Sequence, residues 1–366
     1  MSITIHDVAI TQVKGVGDKT IKLFLSYFET TKAVFEASDK DLLKVPGVGK
    51  SVANSIRVFK DFEIAEKIIK QAQKKQVELI SIASSSYPYR LKNIEDSPAL
   101  LYYKGTADLN ANRIVNIVGT RNATNYGNDF MDYLIPELKK YEVTVISGLA
   151  YGVDIYAHKL CLKHDIPTIG IMANGIDRIY PSAHAGVAQS MLEKGGLLTE
   201  NTFGTKPDAP KFPARNRIIA GLSDLTIVIE ASVKGGAMIT AHLANDYNRD
   251  VFALPGDIKR EFSRGCNNLI KQHKANLMNT ADDIAYIMRW EKGEGTEKFE
   301  TKIDYTNLST EEKTIVQCLS NYEELTLDKL AMQTQFPINK LASMLLVLEF
   351  QDVIKPLTGN SYMLKK

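Results

Sequence analysis

With 366 residues, of which 44% are hydrophobic and 24% charged, the chain is long enough for two or three domains of ordinary globular composition. Its net charge of +2 excludes a strong global field, so any nucleic-acid contact has to rest on locally gathered cations. Three separated cysteines (Cys161, Cys266, Cys318), no apolar run of membrane-span length and no signal-peptide pattern point to a cytoplasmic protein without a membrane partner.

Residues 1–72 contain a repeat. Val13-Lys14-Gly15-Val16-Gly17 precedes one helical pattern, and Val45-Pro46-Gly47-Val48-Gly49 precedes another, 32 residues later. Each unit resembles a helix-hairpin-helix, whose G-x-G turn can present backbone amides to a phosphate. Lys14, Lys19 and Lys50 flank the turns, but residues 1–85 hold 13 basic against 10 acidic residues, so a purely structural repeat also fits.

Residues 73–288 carry an alternating strand and helix pattern. Strands are expected over 77–82 and 100–105, extending the edge of a sheet whose centre begins at Ile114-Val115-Asn116-Ile117-Val118. That run ends at Gly119, followed by the polar loop Thr120-Arg121-Asn122-Ala123-Thr124 and a helical pattern from about Tyr126 to Lys140. Val143-Thr144-Val145-Ile146 ends likewise in Ser147-Gly148-Leu149-Ala150-Tyr151-Gly152. Two β-branched runs separated by a helix read as parallel strands, which puts both loops at the edge where open α/β sheets bind ligands. Glycines let amides approach an anion, and Arg121 adds a bidentate phosphate donor. Neither loop fits the dinucleotide or P-loop fingerprint, and similar loops occur in domains that bind nothing. Further strands follow near 167–173, 196–200, 224–230 and 250–254. Lys234-Gly235-Gly236-Ala237-Met238-Ile239-Thr240 is a third loop of phosphate type, and a helix is expected to start at Ser263-Arg264-Gly265.

Between these strands, positions 206–217 hold four basic residues (Lys206, Lys211, Arg215, Arg217) and one acid, with Phe212 among them. Three prolines discourage a helix here. Cations interleaved with an aromatic suit a single-stranded nucleic-acid groove, although a solvated proline-rich loop has the same composition. The six histidines show no metal spacing, and His158 and His242 are expected to pack or cap.

A polar linker is expected over 289–307. Residues 308–366 read as three helices and a hairpin, a winged-helix pattern, with a capping box from Ser309 to Glu312 and a Gly359-Asn360 turn. Its third helix offers only Lys340 as a base, offset by Glu349, so a protein contact or a modest DNA contact is expected there.

Taken together, GTRNATNYG (119–127), SGLAYGVD (147–154), YPSAH (180–184), FPARNRIIAGLSD (212–224), KGGAMITA (234–241), PGDI (255–258) and GCNNLI (265–270) stand in the order of one family. The chain resembles the DprA/Smf family of DNA-processing proteins of bacterial natural transformation. The resemblance implies an extended Rossmann-like, mostly parallel sheet flanked by a helix-hairpin-helix (SAM-like) domain and a C-terminal winged helix. It further implies a non-catalytic, cofactor-free protein that binds and protects single-stranded DNA and loads RecA recombinase onto it. A second copy of the chain and single-strand binding protein are further expected partners. On matching positions it implies DNA contacts by Gly119, Thr120, Arg121, Thr124, Ser147, Gly148, Gly152, Lys211, Phe212, Arg215, Asn216, Arg217, Gly235, Gly236 and Thr240, and no metal site. The departures are His184 for a frequent Asn, Gly235-Gly236 for a serine-bearing version, and Lys271–Ala275 where a Gly-Ala pair is usual. The alternative is a Rossmann-like enzyme that cleaves an N-glycosidic bond, for which Glu230 at a strand end is the candidate carboxylate.

Overall fold

A computed structural model describes residues 3–291, 308–320, 322, 324–351, 353–357 and 360–364. The chain divides into two compact units, residues 1–293 and 294–366.

The first unit opens with short helices built as a duplicated half. Gly15 and Gly47 take φ +82° and +79°, which only a residue without Cβ adopts cheaply. Gly17 and Gly49 then cap the helices Asp18–Phe28 and Lys50–Val58 in extended conformation. The core repeats at the same spacing: Val13, Val16, Ile21 and Phe24 meet Val45, Val48, Ala53 and Ile56 in one cluster. Two copies of one pattern thus bury what neither could bury alone.

The sheet has nine strands, β1 (Glu78–Ser81), β2 (Leu100–Gly105), β3 (Ile114–Val118), β4 (Thr144–Ser147), β5 (Thr168–Ile171), β6 (Gly196–Thr199), β7 (Leu225–Val228), β8 (Asp250–Ala253) and β9 (Asn276–Leu277). They are ordered β1-β2-β6-β5-β4-β3-β7-β8-β9. β3 to β9 run parallel, and β1 and β2 are added antiparallel beyond β6. Alternation along β3 sends Ile114 and Val118 to one face and Val115 and Ile117 to the other. The first face is covered by Ile218, Ile219 and Leu222 of the helix Lys211–Leu222 and by Ala241 and Ala244 of the helix Gly236–Asp246. The second is covered by Met131, Leu134 and Ile135 of the helix Asn125–Leu138 and by Ala157 and Leu160 of the helix Val153–Lys163. Buried Arg90, on the short helix Tyr89–Lys92, forks onto Asp224 at 2.7 and 2.8 Å, and Asp224 accepts from the Ile114 amide. This pair pins the entries of β3 and β7 side by side.

Three sequence expectations change. The segment 206–217 does not stay extended, because Pro210 caps the helix Lys211–Leu222 and Pro213 is its third residue. First-turn N–H groups have no partner inside a helix, so proline is harmless there. The helix expected at Ser263 begins at Glu261, which leaves Gly265 inside it, where a Cβ would lie 2.5 Å from the Ala231 carbonyl. Trp290, within the expected linker, packs against Tyr141 with ring centroids 6.3 Å apart; from residue 292 that stretch lies outside the described residues.

The second unit has the helices Thr310–Ser320, Leu327–Thr334 and Ile338–Phe350 and the sheet β10 (Leu325–Thr326), β12 (Ser361–Leu364), β11 (Ile354–Leu357). Ser309 and Glu312 cap each other, with the Ser309 amide 2.8 Å from Glu312 Oε2. Leu319, Leu330, Leu341, Leu345 and Leu348 form its core. This is a winged helix. Lys340 is engaged by Glu311 at 2.5 Å. Of the expected turn, Asn360 is described with φ +53°, and Gly359 lies outside the described residues.

Candidate functional site

The chain lays down β3, moves outward through β4, β5 and β6, then returns to place β7 on the other side of β3. Such a reversal opens a crevice at the strand C-termini, since the two loops leave in opposite directions. A cleft of about 1170 Å³ lies there, lined by residues of the loops after β3, β4 and β7 and of the helix Lys211–Leu222.

Ten of the expected residues line it: Gly119, Thr120, Arg121, Gly148, Phe212, Arg215, Asn216, Gly235, Gly236 and Thr240. Helical spacing explains part of this set. Residues 212, 215, 216 and 219 lie on one face of the helix Lys211–Leu222 and all reach the cleft.

The three glycine loops differ in what they offer. At Gly148 a Cβ would come within 2.6 Å of both Arg215 Nη2 and Asp154 Oδ2, so this glycine lets side chains close over the backbone. At Gly152, φ +75°, a Cβ would lie 2.3 Å from the Thr120 carbonyl, so its absence lets the β3 and β4 loops meet, joined by the Val153 amide on that carbonyl at 3.2 Å. At Gly235 and Gly236, by contrast, a Cβ would find room, coming no closer than 3.5 Å to Ser232 Oγ and 3.9 Å to Asn216 Nδ2. They begin the helix Gly236–Asp246, which has no side-chain cap. Its first amides and the positive end of its dipole therefore open into the cleft.

The arginines differ as sharply. Arg121 is exposed, with its guanidinium 6.0 Å from the Phe212 ring centroid. Arg215 is only 5% exposed and gives Nη1 to the Gly148 carbonyl at 2.6 Å and to the Ile171 carbonyl. Burial lowers its pKa to about 10, against the pull of Asp154, so it stays charged at neutral pH. Burial raises the Asp154 carboxyl, opposed by Arg215 and the loop amides, one of which, Ala150 N, lies 3.3 Å from Oδ2. The pair forms the cleft floor.

Arg217, expected in the pocket, is not among the residues lining it. Two positions beyond Arg215 on a helix is the opposite side. There it meets Glu200, Asp18 at 3.2 Å and Asp96 at 3.9 Å. Lys211, Thr124, Ser147 and Gly152 also lie outside the lining. Ser147 donates to the Ile117 carbonyl at 2.6 Å. Thr124 Oγ1 donates to Glu230 at 2.7 Å, and the Thr124 amide to the same carboxylate at 2.8 Å. Glu230 is thus a buried anchor for the β3 loop.

Residue-by-residue reading missed other lining groups. Tyr180 sits 5.8 Å from the Phe212 ring and Tyr151 sits 4.8 Å from the His184 ring, both about half exposed at the cleft. Their motifs, YPSAH and SGLAYGVD, carried the signal. His242, expected to pack or cap, is exposed and lines the cleft, whereas His158 is fully buried on Thr168 Oγ1 at 2.7 Å. Burial lowers the His158 pKa to about 3, with His184 and Arg215 adding to it, so the ring stays neutral. Among the described residues no group of His, Cys, Asp and Glu is placed to hold a metal ion, and no helix is long and apolar enough to cross a membrane.

Residues 78–289 match the family model of DNA recombination-mediator protein A. The chain belongs to that family. Residues 8–59 match the SAM-like helix-hairpin-helix tandem, and residues 304–360 the DprA winged helix domain. Protein Smf of Synechocystis is 36% identical over 266 residues, 72% of this chain and 67% of that one. The crystal structure of DNA processing protein A from Streptococcus pneumoniae is similar at TM-score 0.69 and 32% identity, covering 80% of this chain and all of that one. DNA processing protein A from Helicobacter pylori, whose structure is described for its single-stranded DNA binding mode, is similar at TM-score 0.54 and 29% identity over 59% of this chain and 98% of that one. The family's mostly parallel sheet and both flanking domains are therefore present here.

Proposed function

We propose that the protein binds single-stranded DNA in the cleft, holds it against degradation and presents it to RecA recombinase, without catalysing a reaction. The observation that carries this reading is the free start of the helix Gly236–Asp246, open to the same cleft as exposed Arg121 and Phe212. Amides and a guanidinium serve phosphates, while Phe212 and Tyr180 offer ring faces to bases. Ring faces and phosphates are common to every nucleotide, which fits binding without strong sequence preference. The name of the family and the described binding mode of the Helicobacter pylori relative support the same reading. Proposed partners are RecA, a second copy of the chain and single-strand binding protein, in the cytoplasm.

The glycosidase alternative needs a carboxylate free to meet a sugar. Glu230 is engaged by Thr124 and does not line the cleft, Asp154 faces Arg215 and the loop amides, and Asp208 lines the cleft only from an exposed position open to bulk water. The test is fluorescence anisotropy with labelled oligo-dT and its duplex. Salt-sensitive binding to the single strand, clearly weakened in Arg121→Ala, is the expected result. Equal binding by the variant would move the DNA site elsewhere.

A further inference from the structure

A second cavity, of about 550 Å³, lies between the N-terminal helices and β1, far in the sheet order from the cleft. β1 is an edge strand, paired only with β2. Its register shows which peptide groups remain open. The Ile82 amide donates to the Ala99 carbonyl, and Ile80 stands opposite Leu101 in the same antiparallel ladder. Antiparallel bonding alternates, so Ile80 and Glu78 turn inward to β2, and Leu79 and Ser81 turn outward. The Ser81 carbonyl accepts from the Ser84 amide. Among the described residues nothing pairs with the Leu79 N–H and C=O or with the Ser81 N–H, and both residues line the cavity. Leu79 is 9% exposed, with its side chain packed in the cluster of Val8, Ala65 and Ile68. A row of unpaired backbone groups is a template for a further strand, which would satisfy them.

The rim selects a sign of charge. Glu29 and Glu78 are exposed there and no described cation pairs with them, while Lys32 is engaged by Glu36 at 3.6 Å. Asp7 adds a third carboxylate, held by Thr4 and by Thr31 Oγ1 at 2.8 Å. Ile69, Ala72 and Val77 supply apolar wall for alternate side chains.

We propose that this edge is a docking site for an extended segment of a partner protein, added as a strand beside β1, with alternating apolar and Lys or Arg side chains. Main-chain bonds to Leu79 and Ser81 give the affinity, and Glu29 and Glu78 select the cations.

The experiment uses the full chain and a labelled alternating lysine–valine peptide of about seven residues, the length of an ordinary strand. A lysine–proline twin carries the same charge but cannot pair as a strand. Binding is read by anisotropy, and strand addition by hydrogen exchange of segment 77–83. The lysine–valine peptide is expected to bind and to slow exchange there, while the proline twin leaves exchange unchanged. Glu29→Lys with Glu78→Lys, both at exposed positions, is expected to weaken binding about tenfold while thermal unfolding stays at the wild-type temperature. Absence of binding, equal protection by the proline twin, or binding indifferent to the charge reversal would overturn the proposal. So would protection of 77–83 on raising protein concentration without peptide, which would mark a second copy as the occupant.

Discussion

At the floor of the cleft Arg215 is buried, its guanidinium closed over two carbonyls beside Asp154. At the rim Arg121 is exposed, its guanidinium 6.0 Å from the Phe212 ring centroid, and among the described residues no carboxylate forms an ion pair with it. The two positions face the same space and carry the same side chain. What separates them is solvation: a charge taken out of water has to be matched by protein groups, and a matched charge has little left for a ligand. Arg215 therefore shapes the cleft, while Arg121 remains available to a phosphate.

This contrast breaks first at Arg215→Ala, the largest effect expected. The change leaves Asp154 buried without its counter-charge, so stability should fall by about 3–5 kcal/mol, read as a shift in the urea midpoint. A loss below 1 kcal/mol, smaller than any breach of a buried pair, would mean that the floor is not built on this pair. Arg121→Ala should behave in the opposite way. Its unfolding midpoint should not move, while single-strand affinity falls by about 1.5–3 kcal/mol, the worth of a charged hydrogen bond. The slope of log affinity against log salt should also shrink by about 0.7.

Arg217 sharpens the comparison from the far face of the same helix. Burial raises the Glu200 carboxyl, opposed first by Arg217, and Asp18 raises it further. Arg217→Ala should cost about 1–3 kcal/mol at neutral pH by leaving that acid unmatched. A raised carboxyl binds its proton more tightly in the folded state than in the unfolded state. Its stability penalty is therefore present at neutral pH and is relieved as pH falls toward the ordinary value of 4.5. The deficit of the variant should accordingly be smaller at pH 5 than at pH 7.5, measured by denaturant titration at both. A deficit that does not change with pH would show that Glu200 is not the group affected.

At neutral pH the smallest effect belongs to His158, whose contribution grows only on acidification. Its ring is neutral when folded, with a pKa near 3, and titrates near 6.5 when unfolded. Acidification through 6.5 thus favours the unfolded chain, and stability should start to fall there with a slope approaching about 1.4 kcal/mol per pH unit. His158→Gln should flatten that part of the stability profile.

Much of this was legible in the sequence. The β-branched runs marked most strands of the sheet, and the duplicated glycine turns marked a repeat, whose 32-residue spacing recurs in the buried positions of one core. The fate of 206–217 was not legible. Pro210 falls at a cap and Pro213 in a first turn, positions that composition cannot tell from a helix interior. The resemblance grouped Arg217 with the cleft residues, whereas the helix sends residues 215 and 217 to opposite sides. Glu230 was likewise drawn toward chemistry by its strand-end position. Its engagement by Thr124, 106 residues away in sequence, depends on β3 and β7 being neighbours.

The helical N-terminus shares its packing with the sheet. Val8, Ala9, Ala65 and Ile68 lie in one cluster with Leu79, Leu100 and Tyr102 of β1 and β2, and Asp18 accepts from the Ala99 amide at 2.9 Å. A truncation that begins at β1 would strip this apolar wall from the sheet edge and uncover a sticky flank. Such a shortened chain should express as aggregate, and a soluble version would need polar replacements at Leu79 and Tyr102.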